Sequence, residues 1–314
     1  MTKPTIYILL LILIAACGQK KEQKNNVRDN LATTDSLTAQ IEEINDQEKI
    51  VGFSVVMVDT TRTLYNKGFG FSDKASKKEY SKNTIQYVAS ISKTLIGISL
   101  FKAQELGKLN LDEPINKYLP FEVVNPNFPE SQISIRQLAI HTSSIIDSDK
   151  FWENDYLLLN KDHTKGAAIP KYFNESMDKI PISEFMEKLL SKDGKLNNGE
   201  SYSTNEPNQK FDYSNIGSTL CALIIENAMG IPYQIFTKKY ILEPLKMDSS
   251  GWTIEDVNSQ NRSTLYATNE LVMADYTTVD FPSSGLITSS TDLGKFLTEI
   301  IKGYSGKGFD QSKL

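Results

Sequence analysis

The sequence predicts an α+β fold, with a short antiparallel sheet built early in the chain and a large helical region after it. Three observations carry that prediction. Residues Ile50 to Asp59 are apolar and β-branched on both faces, the pattern of a buried strand. Thr63 to Gly70 follows across Thr60-Thr61-Arg62, so the two segments read as an antiparallel hairpin. Beyond Ser90 the apolar residues recur at helical spacing, and strands first with helices afterwards define this class.

At the N-terminus, Lys3 precedes an unbroken apolar run from Ile6 to Ile14 and then Ala15-Ala16-Cys17, the layout of an export signal. The run is too short to remain as a membrane-spanning helix. Ile14-Ala15-Ala16-Cys17 has the form of a bacterial lipobox, so residues 1–17 are read as a lipoprotein signal peptide and Cys17 as the lipidation site. An ordinary signal peptide with a chance cysteine is the alternative. Acyl chains, at ~0.8 kcal/mol per buried methylene, would anchor the mature chain at a membrane, facing the periplasm or the cell surface. Residues 18–34, rich in Lys, Gln and Asn, read as a flexible tether, and residues 35–314 as the folded domain.

Within that domain Leu37, Ile41 and Ile44 predict a first helix ahead of the hairpin. Thr84 to Val88 is extended, and Ser90 to Leu106 is helical with Gly107 as its stop. Ile135 to Ile140 and Ile182 to Leu190 are helical as well. So is Ile216 to Met229, with Ile216, Leu220, Leu223 and Asn227 on one stripe and Gly230 at its end. Gly285 to Ile301 closes the pattern, with Asp292 starting a helix.

Composition narrows the chemistry. A net charge of -5 gives no electrostatic reason to expect nucleic acid. Only two histidines occur, His141 and His163, which excludes a multi-histidine metal site. With Cys17 lipidated, Cys221 cannot form an intrachain disulfide or a Cys-rich zinc site; within Leu220-Cys221-Ala222-Leu223 it reads as a small buried residue. No G-x-S-x-G, Walker A loop or G-x-G-x-x-G is present, and no cofactor or metal is implied. Serine chemistry without histidine remains.

An S-x-x-K tetrad suits that chemistry, because residues i and i+3 at a helix start share a face and N-terminal N–H groups favour developing negative charge. Three tetrads occur: Ser90-Lys93, Ser99-Lys102 and Ser176-Lys179. Ser99 falls in mid-helix, and Ser176 lies in a polar stretch with no apolar helix to seat it. Ser90 alone follows an extended segment and opens an apolar helix. Tyr213-Ser214-Asn215 precedes the Ile216 helix; the tyrosine could relay a proton and Asn215 could hold both a lysine amine and a substrate amide. Equally, Ser214 or Asn215 could simply cap that helix. The same spacing recurs at Tyr172-Phe173-Asn174.

From Ile50 to Ile301 the chain resembles the serine β-lactamase and penicillin-binding-protein superfamily, most closely the branch of class C β-lactamases, D-alanyl-D-alanine carboxypeptidases and related esterases. The resemblance rests on ordered segments: Val51-Gly52-Phe53-Ser54-Val55, Ala89-Ser90-Ile91-Ser92-Lys93, Gly107-Lys108-Leu109-Asn110-Leu111-Asp112-Glu113-Pro114, His141-Thr142-Ser143, Phe211-Asp212-Tyr213-Ser214-Asn215-Ile216-Gly217 and Gly285-Leu286-Ile287-Thr288-Ser289. It implies a β-lactamase/transpeptidase-like fold, an antiparallel sheet flanked by helices. It further implies that Ser90 forms an acyl-enzyme, that Lys93 and Tyr213 manage its proton and that Asn215 binds a small-molecule or peptide substrate, with His141 structural. Ser144, Lys246 and Ser284 stand where the family often has glycine.

The family's third motif, Lys/His-x-Gly on a late strand, is not found before Leu314, and Gly306-Lys307-Gly308 comes too early and reads as loop. The expectation is therefore a domain incomplete at its C-terminus, lacking late sheet strands. A β-lactam, an ester or a D-amino-acid peptide are the substrates to weigh. The competing expectation is a catalytically inactive cell-envelope lipoprotein that binds wall peptide or a protein partner.

Overall fold

The structure, a computed structural model, describes residues 27–46, 49–159, 166–174 and 179–304. Cys17, His163, Ser176 and Gly306-Lys307-Gly308 fall outside them. The chain divides into two units, residues 1–44 and 45–314. In the first, helix α1 (Val27–Asp46) begins inside the stretch read as a tether, so residues 27–34 are helical instead.

The second unit opens on the expected hairpin. Strand β1 (Gly52–Val58) pairs antiparallel with β2 (Thr63–Asp73), from Gly52 opposite Gly70 to Met57 opposite Tyr65. Asp59 makes the turn, its carboxylate accepting from the Thr61 N–H at 2.6 Å and the Arg62 N–H at 2.8 Å. A two-residue strand β3 (Lys78–Glu79) extends the sheet in the order β1-β2-β3. Glycine at 68 is required there, since a Cβ would sit 2.1 Å from the Tyr80 carbonyl oxygen. Among the described residues β1 has a strand on one side only, and its residues are half-buried rather than buried as the sequence suggests; Met57 is 45% exposed.

Two further ladders are too short to show a period in sequence. Strand β4 (Ile85–Tyr87) pairs antiparallel with β7 (Ile287–Ser289), and β5 (Tyr156–Leu158) with β6 (Tyr276–Thr278). Between them lie the helices: α2 (Lys93–Glu105), α3 (Ile135–Ala139), α4 (Asp149–Asp155), α5 (Ile182–Leu190), α6 (Asn215–Met229), α7 (Tyr233–Thr237), α8 (Phe281–Ser284) and α9 (Ser290–Tyr304). Helix α9 lies on β1, where Gly294 permits the approach: a Cβ there would meet Val56 at 2.8 Å.

The core is organised around α6. Its residues from Ile216 to Ile225 are all buried, so the helix is covered around its whole circumference rather than along one stripe. Helices α2, α3 and α5 pack against it. Cys221 is fully buried at its centre, and burial pushes the thiol well up from its ordinary range, which fits a packing role rather than a reactive one.

Three helical segments end in the same way. At Gly107, His141 and Lys246 the backbone turns left-handed, with φ of +68°, +59° and +55°. Each time the next residue's N–H returns to the carbonyl five positions back: Lys108 to Ala103 at 3.0 Å, Thr142 to Gln137 at 2.8 Å, Met247 to Leu242 at 2.8 Å. Two of these positions hold side chains where glycine would be unstrained. Ser144, another departure from the family's glycines, also has positive φ, +66°. The substitutions at 144 and 246 thus fall on backbone geometry.

Helix-end strain gives a paired prediction. Gly107→Ala should lose about 1 kcal/mol, since nothing lies within 4 Å of an added Cβ and only the backbone is strained. Lys246→Gly should gain up to about 1 kcal/mol, reduced by the greater unfolded-state freedom of glycine. Urea midpoints moving in these opposite directions at constant slope are the expected result; movement in the same direction would contradict the shared geometry.

Candidate active site

The segment before Ser90 is held by the β4–β7 ladder, which continues as Val88 N–H to the Leu286 carbonyl at 3.0 Å. The chain then turns sharply. Ala89 takes φ +46°, a left-handed conformation costing a residue with a Cβ about 1 kcal/mol or more. Ser92 holds this turn from beneath: fully buried, its hydroxyl donates to the Ala89 carbonyl at 2.6 Å and accepts from the Leu286 N–H at 3.1 Å. Ser90 is therefore presented, exposed, within a 3₁₀ turn (Ala89–Ser92), and the α-helix expected from Ser90 begins at Lys93. N–H groups at such a start have no intrahelical acceptor.

Lys93 stands one turn on, and its Nζ donates to three oxygens: Ser90 Oγ at 3.2 Å, Asn215 Oδ1 at 2.7 Å and the Ser283 carbonyl at 3.0 Å. An ammonium has three donors, so this set accounts for all of them. In a neutral amine the two carbonyl-type oxygens keep the two N–H groups, and the lone pair faces the Ser90 hydroxyl.

Asn215 is the first residue of α6, and Ser214 is its N-cap, accepting from Gly217 N–H at 2.8 Å. The capping and lysine-binding readings of this segment therefore both hold, on adjacent residues. Asp147, which the sequence did not single out, meets the same helix start. Its carboxylate accepts from the backbone N–H groups of Asn215 and Ile216 at 2.8 and 3.0 Å and from Asn215 Nδ2 at 2.7 Å. Burial raises the Asp147 pKa, opposed by those hydrogen bonds and by the Lys93 charge. Its one sequence signal was a carboxylate directly after the apolar Ile145-Ile146.

Tyr213 is less tightly engaged. Its ring lies 5.0 Å from Lys93 Nζ and 4.6 Å from the His141 ring, while the side chain is 47% exposed. The three bonds of the amine go elsewhere, so the structure brings the Tyr213 ring, not its hydroxyl, to Lys93. His141 supports this segment: Nδ1 accepts from the Ser214 N–H at 3.2 Å, and its carbonyl accepts from the Asp212 N–H at 2.9 Å.

Ser283, also missed in the sequence, owes its place to two fully buried carboxylates. Asp280 accepts from the hydroxyls of Ser283 and Thr219, and its backbone N–H donates to Asp155 Oδ1 at 2.7 Å. Burial drives both carboxyls well up, helped at Asp280 by the Asp155 charge and at Asp155 by the Asp147 charge.

The other tetrads resolve differently. Ser99 is buried in α2 and Lys102 pairs with Glu105 at 3.0 Å. Lys179 lies 4.9 Å from the Phe281 ring centroid. Asn174 of the second Tyr-x-Asn is paired along β5, its N–H donating to the Tyr156 carbonyl at 2.9 Å.

The site is thus a serine at a helix start beside a lysine amine that an asparagine and a backbone carbonyl orient. This chain is a member of the Beta-lactamase family, whose model matches residues 37–311. It is 26% identical over 248 residues to Protein flp of Staphylococcus aureus (strain MW2), covering 78% of this chain and 44% of that protein. Its fold is shared with the octameric penicillin-binding protein homologue from Pyrococcus abyssi: TM-score 0.67, 25% identity, covering 88% of this chain and 58% of that one. The D-alanine carboxypeptidase AmpC from Burkholderia cenocepacia also matches, with TM-score 0.61 at 18% identity, covering 87% of this chain and 65% of that one. The chain spans less than half the length of the curated relative and about two thirds or less of the solved ones. The fold expected from the resemblance is thus present, with sheets of three, two and two strands among the described residues.

His141 supplies a pH prediction. Burial first, and the Lys93 charge second, lower its pKa from 6.5, and the Ser214 hydrogen bond needs Nδ1 unprotonated. The unfolded chain thus takes up this proton first: the stabilisation is complete above about 6.5 and is lost as pH falls from there toward the lower folded value. Urea midpoints of the wild type should fall more steeply between pH 7 and 5 than those of His141→Gln. Parallel slopes would remove His141 from the account.

Proposed function

We propose that this protein is a serine hydrolase that cleaves an acyl bond through an acyl-enzyme on Ser90. The observation that carries the reading is the Lys93 amine, held by Asn215 Oδ1 and the Ser283 carbonyl so that its remaining direction meets Ser90 Oγ at 3.2 Å. Neutral Lys93 accepts the Ser90 proton as Oγ attacks the substrate carbonyl. The free N–H groups at the start of the Ala89–Ser92 turn stabilise the oxyanion. Asn215 uses one Nδ2 hydrogen on Asp147, and the other is directed to a substrate carbonyl. Tyr213, with its ring against Lys93, delivers its hydroxyl proton to the leaving group and recovers one from the Lys93 ammonium, and water then releases the acyl group.

The substrate classes that fit are a D-amino-acid peptide, a β-lactam or an ester. A D-alanyl wall peptide is favoured by the proposed location: an exported lipoprotein anchored through Cys17, following the lipobox Ile14-Ala15-Ala16-Cys17. That placement is tested by Cys17→Ala, which should move the protein from the membrane to the soluble fraction.

Covalent labelling with a fluorescent penicillin and a fluorophosphonate tests the chemistry. Wild type and Ser176→Ala should label alike, Ser90→Ala should not label, and Lys93→Ala should label slower by on the order of 10²–10⁴-fold. If Ser90→Ala labels as fast as wild type, Ser90 is not the nucleophile. If nothing labels, an inactive wall-binding lipoprotein becomes the better account.

A further inference from the structure

We infer that Asp147 is a positioning residue that fixes which way the Asn215 side chain points, and through it aims the Lys93 amine at Ser90; this rests on the acyl-enzyme reading above. Donor and acceptor types decide the matter. An asparagine amide has one oxygen and one NH₂, and it can be rotated by half a turn with little change of shape. Turned one way, Asn215 offers Oδ1 to Lys93; turned the other, it offers N–H groups to an amine that also donates.

The carboxylate of Asp147 removes that ambiguity, because an ionised carboxylate only accepts. Its Oδ1 is committed to the helix start, taking the Asn215 and Ile216 N–H groups at 2.8 and 3.0 Å, with Ser214 Oγ at 3.4 Å. Its Oδ2 takes Asn215 Nδ2 at 2.7 Å. With Nδ2 drawn to Asp147, Oδ1 must face Lys93, where it accepts at 2.7 Å. One residue thus holds the backbone and the amide of Asn215 together, which a plain helix cap does not require. The charged and titratable groups that interact with it are Lys93, Asp155, Asp280 and Tyr156.

Asp147→Asn keeps the shape and removes the acceptor. The substituted amide would still accept the two backbone N–H groups through its oxygen, but would turn its NH₂ to Asn215 and force that side chain over. The acylation rate with fluorescent penicillin or fluorophosphonate should then fall by roughly 100-fold, the scale of a misplaced reacting group. The exchange Asp147→Asn with Asn215→Asp restores the polarity: the amide at position 147 donates to the carboxylate at position 215, which in turn accepts from Lys93. With the fluorophosphonate, whose reaction does not need the amide hydrogen that Asn215 turns to a substrate carbonyl, that double variant should acylate at least tenfold faster than Asp147→Asn. A helix cap alone predicts no such recovery.

Neutron diffraction from deuterium-exchanged wild-type crystals reads the Asn215 orientation without any variant. Deuterium on the side facing Asp147 supports the proposal, and deuterium facing Lys93 overturns it. So does an Asp147→Asn protein that acylates at the wild-type rate, or a folded double variant no faster with the fluorophosphonate than Asp147→Asn. A wild type that never labels instead defeats the acyl-enzyme reading, while the neutron map still decides the Asn215 orientation.

Discussion

Three stretches of chain far apart in sequence meet at one nitrogen. Lys93 Nζ binds Ser90 Oγ within its own turn, Asn215 Oδ1 at the start of α6 and the Ser283 carbonyl in α8. A partly buried amine with fewer partners would lose more in desolvation than it regained. The packing of α2 against α6 and the seating of α8 beneath them are therefore conditions for this cluster to exist. Two of the three partners are in turn held by an acid: Asn215 by Asp147, and the Ser283 segment by Asp280 and Asp155.

The backbone around the cluster is under tension as well. Ala89, His141 and Ser144 all sit at positive φ without being glycine. Each is held by side-chain or main-chain bonds: Ser92 to the Ala89 carbonyl, Asp212 to the His141 carbonyl, and Asn125 to the Ser144 hydroxyl. Strain of this kind persists only where the surroundings over-determine the conformation, and here it flanks the nucleophile and the Tyr213 segment.

Much of this was legible in the sequence, and what was not has physical causes. The hairpin, α5 and α6 follow from period and end signals, because long amphipathic or apolar runs show their spacing. The β4–β7 and β5–β6 ladders did not, since strands of three residues have no measurable period. Ser90 and Lys93 were separated from the competing tetrads by local setting alone. The structure brings the three together at the amine, where Lys93 donates to Ser90 Oγ and to Asn215 Oδ1. Asp147 and Ser283 escaped because nothing local marks them: their roles come from contacts to residues 68 and 190 positions away. The hydroxyl of Tyr213 is the one element placed by resemblance that the geometry does not bring to the lysine.

Cys221, at the centre of α6, gives the fold a built-in clock. A thiol with no solvent exposure and a pKa raised by burial cannot meet a reagent while the helix stays in the core. Its modification rate is then set by how often α6 leaves its place, and when reclosing is fast that rate reports the free energy of the opening itself. Because α6 also carries Asn215 at its first residue, the same opening would dismantle the lysine cluster. The time course of a single sulfur reaction would therefore track how long the site remains assembled.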